Sequence, residues 1–284
     1  MLLVATGLYV WQPLGISPHW EVSQPQEIPE PREAPALAEA VPEQAEALPI
    51  PPVPPRIAEG REYEGCLAML ASDPTGANAY ADAWEATGGG EGAAHCHALA
   101  QVALGNVDTG ADMLDQLAGQ SHAPAVARAS VYGQADQAWL MAGQADRAMA
   151  SATLALSLSG DDAELLIDRS VAAATLERYE DAIDDLNHAL ELDGRRPDAL
   201  VLRAAAWRHT GQLDLAQDDV DRAFGLDPEN PEAFLERGIL RQRRGDRDGA
   251  RRDWSEAGKL APDSATSDLA EQNLALLEAG PDQR

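Results

Sequence analysis

His95-Cys96-His97 groups three metal-binding side chain types in a row, and His122 follows downstream. On a helix, successive side chains point about 100° apart, so three consecutive donors do not converge on one ion. Zinc takes ligands one turn apart or across a loop. The triple therefore predicts no metal site. Cys66 and Cys96 are the two cysteines of the chain. They are too few for a zinc centre of their own or for a disulfide-rich scaffold. Two readings stay open: one disulfide in an oxidising compartment, or two buried thiols.

Two charged series come next. Arg169, Arg203 and Arg237 recur every 34 residues, and Asp185, Asp219 and Asp253 keep step with them. Matched series predict a ladder of arginine–carboxylate pairs. The alternative is a basic stripe that reads an acidic ligand. A denser patch follows, with Arg241, Arg243, Arg244, Arg247, Arg251 and Arg252 close together. It either docks an acidic partner or forms a solvated surface paired with Asp246, Asp248 and Asp253. No nucleophile sits beside a convincing base, and no glycine-rich phosphate loop is present. The segments TGGGEG and RRGDRDG read as turns. The sequence thus predicts no catalytic residue, no metal and no cofactor.

The elements that must position these residues are helical. Alanine is abundant, while the aromatic set is limited to six Trp, five Tyr and two Phe. Such a composition suits close-packed helices. The net charge of −27, with Lys259 the single lysine, excludes a phosphate-backbone binder and disfavours an anionic membrane surface. Residues 1–17 are apolar and carry no Lys or Arg, which predicts an anchor or signal segment, with Trp11 and Trp20 as interfacial side chains. The run is shorter than the roughly 20 residues that cross a bilayer as a helix. Residues 18–57 are dense in proline and glutamate. Proline removes backbone donors and fixes φ, so this segment reads as a disordered tether. An apolar start followed by such a tether predicts a domain held off a membrane in the cell envelope, on the periplasmic side; the alternative is a cytoplasmic protein.

Helical periodicity begins near Arg61. Residues 58–120 predict two divergent helical hairpins with helices over 61–70, up to 87, 92–104 and 107–118. Ser72 or Asp73 is the expected cap before Pro74. Beyond them, four windows repeat: 129–162, 163–196, 197–230 and 231–264. Ala148, Ala182, Ala216 and Ala250 share one position, and Ala155, Ala189, Ala223 and Ala257 another. Gly143, Glu177, Gly211 and Gly245 mark the turn of each window. Leu158, Leu192, Leu226 and Leu260 end the second helix. Asp136 and Ser170 stand where a small residue is expected in the first helix. Residues 265–280 predict a C-terminal cap whose helix runs over 268–279, with Ser267 as its N-cap and Leu269, Leu276 and Leu277 facing the last window.

This pattern resembles the tetratricopeptide repeat family, which stacks 34-residue helix–turn–helix units. The resemblance covers residues 129–264 well and 61–118 loosely. It implies an all-α solenoid in which the small residues mark the closest helix approaches, and it puts Cys66 and Cys96 on the neighbouring first helices of successive hairpins. It also implies a ligand groove lined by first-helix positions five and nine. Those positions are Gly133, Ile167, Val201 and Leu235, then Gln137, Val171, Ala205 and Ile239. Members that clamp a C-terminal carboxylate use Lys and Asn there, and this chain has neither. An apolar groove would suit a peptide with aliphatic anchors. The implied function is a non-catalytic scaffold for protein or peptide partners; the alternative is an accessory or assembly factor of a membrane enzyme complex.

Overall fold

The computed structural model describes residues 56–279. The expected anchor, the tether up to residue 55 and residue 280 of the capping helix lie outside the described residues. The described chain is a succession of α-helices: α1 (Arg61–Leu70), α2 (Pro74–Ala86), α3 (Gly90–Ala103), α4 (Val107–Gln120), α5 (Ala125–Met141), α6 (Ala145–Leu158), α7 (Ala163–Thr175), α8 (Tyr179–Leu192), α9 (Pro197–His209), α10 (Leu213–Leu226), α11 (Pro231–Arg243), α12 (Arg247–Leu260) and α13 (Ala265–Ala279). Consecutive helices pack against each other, and α5, α7, α9, α11 and α13 also touch in series. This is the all-α solenoid expected from the repeat.

The helix boundaries follow from local chemistry. Asp73 caps α2, its Oδ1 accepting from the Gly76 amide at 2.8 Å, and Pro74 occupies the first turn. Asp162, Asn230 and Asp246 cap α7, α11 and α12 in the same way. The C-terminal helix begins earlier than expected. Ser264, not Ser267, is its cap: the Ser264 Oγ accepts from the Ser267 amide at 3.1 Å, which leaves Ser267 buried inside α13. Leu277 is buried against the last hairpin, whereas Leu276, its neighbour about 100° around the helix, faces solvent.

All eight repeat alanines are buried, none more than 1% exposed. Helix pairs approach closely at these points, so there is no space for a larger side chain. Gly110 does the same work between α3 and α4. A Cβ there would lie 2.5 Å from Val102 Cγ2 and 2.7 Å from the Ala98 carbonyl oxygen. It stands 38 residues before Ala148 rather than 34, which is why the sequence repeat fades here. Ala216 is packed among Ala204, Val220 and Leu240. Ala216→Leu should therefore lower stability by about 2 kcal/mol through overpacking, read as a fall in the circular dichroism melting temperature.

The turns show one local conflict. Gly143, Gly211 and Gly245 sit at φ of 72°, 83° and 85°, in the left-handed region that glycine enters freely. Glu177 holds the equivalent turn at φ 58° with a full side chain. Glu177→Gly should raise stability by about 1 kcal/mol, because the left-handed conformation costs an L-residue that much. A thermal melt reads it directly.

Candidate functional site

The expected groove is largely closed over. Ile167, Val171, Val201, Ala205 and Leu235 are all buried, the most exposed of them 6%. Ile167, Val171 and Val201 belong to one core cluster with Leu166, Leu200 and Leu202. Leu235 packs with Trp254, and half-buried Ile239 lies against the same cluster. Gly133 is buried as well; a Cβ there would meet Leu165 Cδ2 at 2.8 Å. The physical reason is close approach. Small residues at 172–174 and 204–206 let α7 and α9 sit among their neighbouring helices, and the aliphatic side chains meet each other instead of solvent. These positions hold the stack together and leave little apolar area for a partner.

The two charged series form pairs inside the repeats. Arg169 meets Asp185 at 2.8 and 2.5 Å, Arg203 meets Asp219 at 2.8 and 2.7 Å, and Arg237 meets Asp253 at 3.0 and 2.8 Å. Each is a two-pronged fork from the first helix of a hairpin to its second helix. Arg203 also donates to Asn187 Oδ1 of the preceding hairpin at 2.7 Å. The Arg237 guanidinium lies 4.1 Å from the Phe224 ring centre, so its flat face is covered too. These arginines are occupied and do not form a stripe for a ligand.

The arginine patch is partly consumed in the same manner. Arg241 binds Asp253 and lies near Asp246, Arg244 binds Asp214 and Gln217, and Arg251 binds Asp248. Arg247 donates to the Leu277 carbonyl near the end of α13. Arg243 and Arg252 are exposed and make no ion pair among the described residues. Two contacts between repeats escape a periodic reading of the sequence. Arg196 bridges Glu164 at 2.8 Å and Asp198 at 2.6 Å. Arg208 and Glu236 form a buried pair at 2.6 Å between α9 and α11. Glu164, Asp198 and Glu232 occupy the second position of successive windows, which was the available signal for the first of these.

The His95–His97 triple fans out as helix geometry requires. Cys96 is joined to Cys66, with Cα atoms 6.2 Å apart, tying α3 to α1. His95 is buried between the Tyr63 hydroxyl and Gln134 Oε1, each 2.6 Å away. Its Nδ1 accepts from Tyr63 and its Nε2 donates to Gln134, so a neutral ring is fully satisfied. Burial pushes the His95 pKa down to about 4 and the Tyr63 pKa up to about 12. His97 turns to α2, where it meets Asp82 and Glu85. His122 is exposed between α4 and α5.

Asp136 is the outlier of the interior. It is fully buried on α5, and neither carboxylate oxygen has a hydrogen-bond partner among the described residues. Burial, with Asp168 and Asp115 nearby, holds its pKa well above the usual carboxylate range. Burial and Glu164 likewise raise Asp168 to about 7. The same window position holds Ser170, Ala204 and Gly238 in later repeats. Ser170 satisfies itself by donating to the Ile167 carbonyl at 2.6 Å.

No family model matches the sequence, and no curated protein does either. Solved structures do match. A tetratricopeptide-repeat protein of Thermus thermophilus, TTC0263, aligns with a TM-score of 0.54 and 18% identity over 66% of this chain and 99% of its own. The hetero-tetramer Cut9–Hcn1 of APC/C aligns with a TM-score of 0.58 and 16% identity over 75% of this chain and 42% of the matched one. The helix order, the 34-residue repeat and these two alignments identify the described chain as a stack with the tetratricopeptide-repeat fold.

Proposed function

We propose that the stack is a non-catalytic scaffold that holds polypeptide partners carrying basic side chains. The observation that carries this reading is how the charges are divided. The arginines of the repeats are largely spent on internal forks, while Asp184 and Glu191 of α8 and Asp218 and Asp221 of α10 face solvent without an ion pair among the described residues. With a net charge of −27, such a surface attracts cationic segments and repels acidic ones. The fold supports a binding role by analogy: Cut9, which shares it, is found in a hetero-tetramer with Hcn1. The most enclosed polar group near a histidine, the Tyr63–His95–Gln134 chain, is fully bonded and buried, so it does not read as a general base. The apolar N-terminal run would hold the scaffold at a membrane, and a covalent Cys66–Cys96 link suits an oxidising compartment.

The test is affinity capture of the full chain from its native membrane fraction, followed by titration of the purified pair. The expected result is a stoichiometric partner whose affinity falls steeply between low and high salt. Capture of a partner insensitive to salt would refute the electrostatic reading. Turnover of a substrate by the isolated chain would refute the scaffold itself.

A further inference from the structure

A second feature stands apart from the repeats. Asp82 and Glu85 lie on one face of α2, and His97 of α3 faces them. One donor atom from each of the three falls within 4.8 Å of the others. His97 Nε2 is 3.3 Å from Asp82 Oδ1, and His97 Nδ1 is 3.3 Å from Glu85 Oε2. We propose that Asp82, Glu85 and His97 bind a divalent transition-metal ion, with Zn2+ the best fit, as a bridge between α2 and α3.

The ring is the centre of the argument. A neutral imidazole has one N–H and one lone pair. With Nδ1–H donating to Glu85 Oε2, the Nε2 lone pair lies beside Asp82 Oδ1 at 3.3 Å, with the Gln101 amide as a long donor also at 3.3 Å. A divalent ion at that nitrogen removes the repulsion and neutralises two negative side chains. The spacing also fits. Two ligands about 2.0–2.1 Å from a tetrahedral zinc lie about 3.3–3.4 Å apart. A direct charge-assisted N–H···O bond is shorter, about 2.7–2.9 Å. The 3.3 Å between His97 Nε2 and Asp82 Oδ1 matches the first arrangement, while Glu85, which meets Nδ1, must turn toward the ion to join it. One imidazole with two carboxylates is a borderline donor set that suits Zn2+ over Mg2+ or Ca2+. One ring nitrogen binds the ion. Asp82 and Glu85 are solvent-exposed and free to swing onto it, and water completes the shell.

The surroundings hold this geometry. Asn78 donates to Asp82 Oδ2 at 3.4 Å, Gln101 donates to Asn78 Oδ1 at 2.7 Å, and Asn106 donates to Gln101 Oε1 at 2.9 Å. Cys96 and His95, the two residues before His97, are fixed to α1 and α5, so α3 presents the imidazole from a rigid base. Second-shell bonds of this kind orient metal ligands.

Titration of the EDTA-stripped full chain with ZnCl2 in a calorimeter tests the site, with Co2+ absorption as a separate readout of coordination. The expected result is one ion per chain, with His97→Gln and Asp82→Asn each weakening it at least about tenfold. Both variants should melt like the parent in EDTA, since neither side chain is buried. If the parent shows no saturable uptake, or if both variants bind as the parent does, the proposal is overturned. Loss of the Co2+ signal in His97→Gln at an unchanged EDTA melt would support it against a general loss of fold.

Discussion

Replacing Asp136 with alanine should raise the unfolding free energy at pH 8 by about 3 kcal/mol, and by less at pH 5. The carboxylate is fully buried and unpartnered, and Ala204 shows that the same position accepts a methyl group. Above pH 4 the profile of the parent follows from four shifted groups, two aspartates raised and two histidines lowered, because Asp198 is shifted downward and acts below that pH. Asp136 and Asp168 bind protons in the folded state at pH values where the unfolded chain has lost them, so each lowers stability as pH rises above about 4. His95 and His209 do the reverse. Burial holds both near 4 when folded, with Arg208 and Arg243 adding to the shift at His209, so they raise stability as pH climbs from about 4 to 6.5. The two pairs offset each other across that interval. Above pH 6.5 the histidines no longer contribute, and the decline from the aspartates continues until each ionises in the folded chain, at about 7 for Asp168. Urea melts should thus show a plateau and then a fall toward pH 8. Asp136→Ala should make that fall shallower. Parallel profiles for parent and variant would show that Asp136 is already satisfied.

Arg208→Met alone and Glu236→Leu alone should each cost about 3–5 kcal/mol, while the double variant should come back to within about 1 kcal/mol of the parent. Both side chains are nearly excluded from solvent and bond at 2.6 Å across α9 and α11. Removing one leaves a desolvated charge without its counterion. Removing both replaces a costly pair with apolar contacts. Arg208 also depresses the pKa of the neighbouring His209, which stacks on Tyr179 at 4.3 Å. In Arg208→Met the His209 pKa, followed by NMR, should therefore rise. Chemical denaturation of the four proteins gives the coupling energy directly, and additive losses would rule the pair out as a unit.

The repeat was readable because small side chains are demanded wherever helices nearly touch. Ala148 to Ala257 announced those points in the sequence, and the turn glycines announced the hairpins. The burial of the groove positions was not legible for a related reason. Ile167 and Val201 are the same residue types whether they line a cleft or fill a core. Which of the two applies depends on how tightly successive hairpins close, a sum over many contacts that no single residue records. Charge was similarly ambiguous: Arg241 and Arg251 found acids one turn away or across the hairpin, so a conspicuous basic run was largely neutralised. His97 was hidden because its companions sit on the preceding helix. Asp82 and Glu85, one helical turn apart, were the signal, and it lay outside the triple itself.

The order of contacts also determines how the chain would respond to force. Each hairpin leans on the ones beside it and on little else. Drawn out from its two ends in an optical trap, such a molecule would lengthen in a staircase of hairpin-sized extensions instead of one rupture. The segment between Cys66 and Cys96, closed by a covalent bond across a separation of 30 residues, would never stretch.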